Sequence, residues 1–153
     1  MLNIVLFQPE IAENLGSIIR TAACFNSTIH IIEPCGFPFD SKRIKASAMD
    51  YIDKTELCRY KSYDDFIEKN SNPDLILMTT KTNNYLDDLK FSRDCFFLFG
   101  QESSGVPEYI HESCNTKAKI PINSNTRSLN LAVSVAITAY SANSQFRKIN
   151  KIA

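Results

Sequence analysis

Ile29-His30-Ile31-Ile32 and Leu75-Ile76-Leu77-Met78 are apolar at nearly every position. A strand with one face in water alternates apolar and polar residues, whereas a strand covered on both faces does not need to. These two stretches therefore predict a buried, parallel sheet. Working outward, similar short runs predict strands over residues 3–8, 28–33, 55–60, 74–80, 95–99 and 117–122. Helical spacing predicts helices over 14–25, 42–49, 63–69, 107–113 and 129–147. Strands alternating with helices imply an α/β fold, a mostly parallel sheet with helices on both faces. No repeat or linker divides the chain, so residues 1–153 read as one domain.

The composition excludes several classes. Hydrophobic content of 44% with 22% charged residues suits a globular protein. No apolar run is long enough for a membrane span, and the first residues lack the basic leader of a signal peptide. Five cysteines, none three residues from another, fit neither a disulfide framework nor a CxxC zinc or redox site. A reduced, cytoplasmic protein with mostly buried thiols is expected. The 17 basic and 17 acidic residues cancel, but residues 113–153 hold six bases and no acid. Lys42-Arg43-Ile44-Lys45 adds a second basic cluster. Such patches fit phosphate partners, or solvated helix faces.

With only four glycines, their placement is informative. Phe99-Gly100-Gln101-Glu102-Ser103-Ser104-Gly105-Val106-Pro107 joins a predicted strand to a predicted helix. Ligands of open parallel sheets bind beyond the carboxyl ends of strands, which makes this loop the natural site. It is neither GxGxxG nor a Walker loop. His30 reads as a satisfied core histidine and His111 as a solvated surface residue, and a zinc hydrolase is not expected. Glu102 stands alone between the two glycines, as a turn acid or a functional one. In Ile120-Pro121-Ile122-Asn123-Ser124-Asn125-Thr126-Arg127-Ser128-Leu129-Asn130, an apolar strand runs into a polar loop. Ser128 or Asn130 then opens the last helix, and Ser128 reads either as its cap or as a pocket residue.

Taken together, these segments resemble the SPOUT superfamily of S-adenosylmethionine-dependent RNA methyltransferases. The resemblance is nearest to the small enzymes that methylate the ribose 2′-hydroxyl of the tRNA wobble nucleotide, a cytidine or modified uridine at position 34. It rests on Leu2-Asn3-Ile4-Val5-Leu6, Asn14-x-Gly16-x-x-x-Arg20, Ile31-Ile32-Glu33-Pro34-x-Gly36-Phe37, Thr79-Thr80-Lys81, Phe99-Gly100-x-Glu102-x-x-Gly105-x-Pro107 and Ile120-Pro121 with Ser128-Leu129-Asn130-Leu131, in the family's order. Ser104, Gln101 and Leu15 stand where the family often has arginine, proline and threonine.

The resemblance implies a C-terminal trefoil knot, a homodimer, and S-adenosylmethionine as cofactor with no metal. Its cradle would be Met78, Thr79, Gly100, Ile120, Ile122, Ser128 and Leu129. Arg20, with Glu102 and Asn130, would form the catalytic group. Arginine keeps its proton far above neutral pH, so a fixed guanidinium suits stabilising a developing alkoxide better than removing a proton. Lys42, Arg43 and Arg127 would meet phosphates of the tRNA anticodon loop, and Tyr140 would contact RNA or pack at the dimer interface. The same scaffold would also serve a methyltransferase for another tRNA position or rRNA, or a non-catalytic RNA-binding knot protein. The strand–helix alternation alone equally fits a flavodoxin-like small-molecule-binding module.

Overall fold

The computed structural model describes residues 1–152 and side chains to residue 150. Six strands, β1 (Leu2–Phe7), β2 (Ser27–Ile32), β3 (Leu57–Tyr60), β4 (Leu75–Met78), β5 (Phe96–Phe99) and β6 (Thr116–Ala118), form one parallel sheet in the order β3-β2-β1-β5-β4-β6. Five α-helices connect and follow them: α1 (Ala12–Cys24), α2 (Lys42–Ala48), α3 (Tyr63–Lys69), α4 (Glu108–Ser113) and α5 (Leu131–Ile152). The chain winds outward from β1 to β3, then crosses to the other side of β1. Neighbouring β1 and β5 thus send their following loops in different directions, which opens a crevice at their carboxyl ends.

The unbroken apolar strands are explained by two cores. Leu2, Ile4 and Leu6 of β1 join Ile29, Ile31, Phe97 and Phe99 beneath α1, α2 and α5. Val5 and Phe7 point the other way, with Leu77, Leu98, Phe66 and Ile110. Successive strand residues face opposite sides, so each face needs its own apolar set. No helix among the described residues is long and apolar enough to cross a membrane.

Several sequence expectations are corrected. The last strand ends at Ala118, with Lys119 in one further bridge to Tyr85, and Pro121, which has no N–H, keeps the ladder from reaching the expected residue 122. β3 begins at Leu57 because residues 49–54 form a 3-10 helix, which the apolar pattern does not reveal. Thr55 then ties that turn to α1, its hydroxyl donating to the carbonyls of Ile19 and Tyr51. Helix α5 starts two residues later than expected and continues to Ile152. The thiols are not mostly buried: Cys95 and Cys114 are, Cys35 and Cys58 are half-buried, and Cys24 is exposed.

His30 is the core histidine the strand pattern implied. Its Nδ1 lies 2.8 Å from the Tyr60 hydroxyl and its Nε2 3.2 Å from Asn3 Oδ1, within a cage of Tyr60, Phe66 and Phe96 rings. Burial lowers its pKa from 6.5 to about 4, against the smaller opposing pull of the Glu56 carboxylate. The unfolded chain therefore takes up a proton near pH 6.5 that the folded chain refuses until about pH 4. His30's contribution to stability is complete above pH 6.5 and is lost as pH falls towards 4. The full shift is worth about 3 kcal/mol. Urea unfolding at pH 7.5 and 4.5 should show this loss, and His30→Gln should flatten the pH dependence. An equal slope in the variant would contradict the assignment.

Candidate active site

Three connections leave the carboxyl ends of adjacent strands: 79–81 after β4, 100–106 after β5, and 119–130 after β6. They converge on a cavity of about 670 Å³. Met78, Thr79, Gly100, Ile120, Ile122, Ser128 and Leu129 all line it, and so do Glu102, Arg127 and Asn130. That volume falls within the usual range for a small-molecule site.

The β5 connection is a tight loop closed by paired backbone bonds, Gln101 N–H to Gly105 O at 2.9 Å and Gly105 N–H to Gln101 O at 3.0 Å. A Cβ on Gly100 would stand 2.4 Å from the carbonyl carbon of Gly105. Gly105 itself has φ +70°, a region that favours glycine. Gln101 could not donate its N–H if it were proline, so this departure from the family pattern adds a closing bond. Its amide also meets Gln8 Oε1 at 3.2 Å and accepts from the Ser104 hydroxyl at 2.6 Å.

Both carboxylate oxygens of Glu102 are engaged. Oε2 accepts from Glu10 N–H at 2.8 Å, and Oε1 accepts from Ile11 N–H and Asn14 Nδ2, each at 3.2 Å. Asn14 in turn accepts from Asn130 Nδ2 at 3.0 Å. Asn130 Oδ1 caps α5, accepting from Ala132 N–H at 2.9 Å and Val133 N–H at 3.3 Å. The chain Glu102–Asn14–Asn130 thus fastens the β5 loop, the start of α1 and the start of α5 together. Asn130 takes the capping task, which leaves Ser128 free to line the cavity. Buried Asn14 is the residue that sequence reading left out of the site. The Asn14-x-Gly16-x-x-x-Arg20 motif held its only signal.

His111 also departs from expectation. It lines the cavity, and its Nε2 is buried without a hydrogen-bond partner. The short helix α4 leans over the sheet, with Ile110 in the second core, and this turns the next side chain inward.

Arg20 does not line the cavity. It lies on α1 about 9 Å along the axis from Asn14, exposed, its guanidinium 5.5 Å from the centre of the Tyr51 ring and 3.6 Å from Met49 Sδ. Among the described residues it forms no salt bridge, and Glu13 pairs instead with Arg43 at 3.6 Å. Gly16, one turn earlier, lets α2 press against α1: a Cβ there would stand 2.4 Å from Ser47 Cβ and 2.7 Å from the Ile44 carbonyl oxygen. Lys42 and Arg43 are exposed at the start of α2, where Ser41 Oγ accepts from Arg43 N–H at 3.2 Å. Tyr140 is 66% exposed on α5, with Val133 and Ile137 at 46% and 37% on the same side of the helix. Among the described residues, no group of three His, Cys, Asp or Glu side chains could hold a metal ion.

The chain matches the SpoU rRNA Methylase family over residues 1–140. A tRNA (cytidine(34)-2′-O)-methyltransferase of Beijerinckia indica is 36% identical over 153 residues, covering 97% of this chain and 94% of the relative. A solved structure concerned with 2′-OH methylation of C/U34 on tRNA superposes with a TM-score of 0.93 at 35% identity, covering 97% of each chain. The methyltransferase AviRb from Streptomyces viridochromogenes, solved in complex with AdoMet, shares the fold with a TM-score of 0.87 at 20% identity, covering 96% of this chain and 58% of that one.

Proposed function

The chain belongs to the SpoU rRNA Methylase family, and from that premise we propose that it methylates the ribose 2′-hydroxyl of the wobble nucleotide, cytidine or uridine 34, in tRNA, with S-adenosylmethionine as donor. One observation carries the reading: three separate connections form a single cavity whose walls suit a nucleoside. Met78, Ile120, Ile122 and Leu129 offer apolar surface for an adenine ring. The Gly100 loop offers backbone groups at a place where any side chain would clash. When bound, the cofactor supplies an electrophilic methyl group on a sulfonium.

The chain's own residues then orient and stabilise. Thr79 and Ser128, which line the cavity, would hold the polar part of the donor through their hydroxyls. Glu102, Asn14 and Asn130 act as positioning residues, holding the loops at fixed separation. Arg20 is the catalytic residue, its guanidinium meeting the 2′-oxygen as negative charge develops there. Its place outside the cavity of its own chain fits a homodimer. The exposed Val133, Ile137 and Tyr140 stripe on α5 supplies an apolar face for the second copy. Lys42, Arg43 and Arg127 hold backbone phosphates of the anticodon loop.

We also infer a trefoil knot. Residue 119 lies beside the connection that precedes β5 in a parallel bridge with Tyr85, Lys119 N–H donating to Asn84 O and Leu86 N–H to Lys119 O, both at 2.9 Å. The chain thus runs past the 79–95 connection before it turns into α5, the path that a knotted C-terminal segment would take. A cytoplasmic location follows from the substrate and agrees with five free thiols.

Mass spectrometry of tRNA from cells lacking this protein tests the function. Nucleotide 34 of some tRNAs should lack a ribose methyl, and the purified protein with S-adenosylmethionine should restore it. An unchanged tRNA, or a methyl missing only from rRNA, would overturn the substrate assignment.

A further inference from the structure

The cavity is unbalanced in charge. Lys81, Lys119 and Arg127 line it, and its sole carboxylate among the described residues is Glu102, whose oxygens are already engaged. None of the three cations takes part in a salt bridge among the described residues. Lys119 is half-buried and springs from a fixed point. Its backbone is bonded on both sides, and its ammonium sits 5.0 Å from the centre of the Tyr85 ring. Lys81 follows the neighbouring strand, its N–H donating to Thr79 Oγ1 at 3.1 Å. The pairing of Met78 with Ala118 places these two lysine-bearing ends side by side. Arg127 stands on the third connection.

We propose that Lys81 and Lys119, facing Arg127, form a phosphate subsite that holds the RNA backbone next to the reacting ribose. This rests on the function proposed above. The donor is a poor occupant for these cations, because its sulfonium and ammonium outnumber its single carboxylate. Lys81 and Arg127 are exposed and Lys119 is half-buried, so these like charges along one wall disfavour the cationic donor, and an RNA phosphate supplies the missing anion. The subsite also makes donor and RNA binding cooperative, since phosphate entry relieves the repulsion felt by the sulfonium.

The test is a Lys81→Ala/Lys119→Ala double variant, assayed with tRNA purified from cells lacking this protein. The KM for tRNA should rise at least about tenfold, and the slope of log affinity against log salt should fall by about 2. The S-adenosylmethionine Kd from calorimetry should stay the same or tighten. A tenfold weaker S-adenosylmethionine Kd with unchanged tRNA binding would overturn the proposal, because the lysines would then hold the donor's carboxylate. Unchanged values for both ligands would overturn it too. Lys119→Arg keeps the charge and should retain tRNA affinity, which separates a charge effect from misfolding. If the wild type transfers no methyl yet the double variant still loses tRNA affinity by filter binding, the function fails and the subsite stands.

Discussion

Replacing Arg20 with alanine is expected to lower methyl transfer by about 10²–10³-fold while leaving S-adenosylmethionine affinity within about twofold. The size follows from removing one fixed donor to a developing oxyanion. The selectivity follows from geometry, since Arg20 is not part of the cavity wall. Its neighbours are Met49 and Tyr51, and it closes no ion pair among the described residues, so its loss should barely affect stability. Single-turnover transfer with saturating tRNA, beside calorimetry with the donor alone, checks both halves. Arg20→Lys should recover little, because an ammonium lacks the planar fork of donors. A variant as active as the wild type would remove Arg20 from the chemistry. A variant that lost donor binding would make it part of the cofactor cradle.

Gly100→Ala is expected to act through the opposite link, disabling donor binding by deforming the loop that cradles it. The added Cβ would lie 2.4, 2.5 and 2.8 Å from backbone atoms of Gly105. These are backbone contacts that no rotamer change can relieve. The loop must open, and the paired Gln101–Gly105 bonds break with it. Overpacking and lost hydrogen bonds together cost about 2–4 kcal/mol, or a fall in melting temperature of about 4–16 °C for a chain of this size. The donor Kd should weaken at least about tenfold. Gly105→Asn is the contrast, since a Cβ there meets nothing within 4 Å and only the backbone strain of φ +70° remains, which asparagine bears better than most L residues. Calorimetry and thermal melts on both variants decide the matter. Normal donor affinity in Gly100→Ala would mean that the loop yields without loss, and that it does not shape the cradle.

How much of this was legible in the chain differs from residue to residue. The parallel sheet was, because Ile29–Ile32 and Leu75–Met78 have no polar face to turn outward. His30 reads correctly for the same reason, since a strand covered on both sides must satisfy any polar group inside it. The limits of elements were less legible. Pro121 forbids strand continuation, yet the apolar Ile120 and Ile122 around it resemble strand residues until the fold places them in a cavity wall. Ser128 and Asn130 are equally good caps in sequence, and the choice falls to Asn130 because Asn14 offers it a second bond. His111 looks like a surface residue on a six-residue helix and is turned inward by the packing of that helix.

By itself the sequence determined most of the elements, the doubly covered sheet and two of the loops that line the cavity, those around Gly100 and after Ile120, because apolar periodicity, glycine and proline act over a few residues. Only the tertiary structure decided that Glu102 is a fastening between loops, that Arg20 stands outside its own cavity, and that Lys81 and Lys119 share a wall with Arg127. Each of those facts joins residues tens of positions apart, such as the 88 that separate Asn14 from Glu102. Such distances are closed by strand order and by burial of two cores, and neither leaves a mark at the residues it brings together.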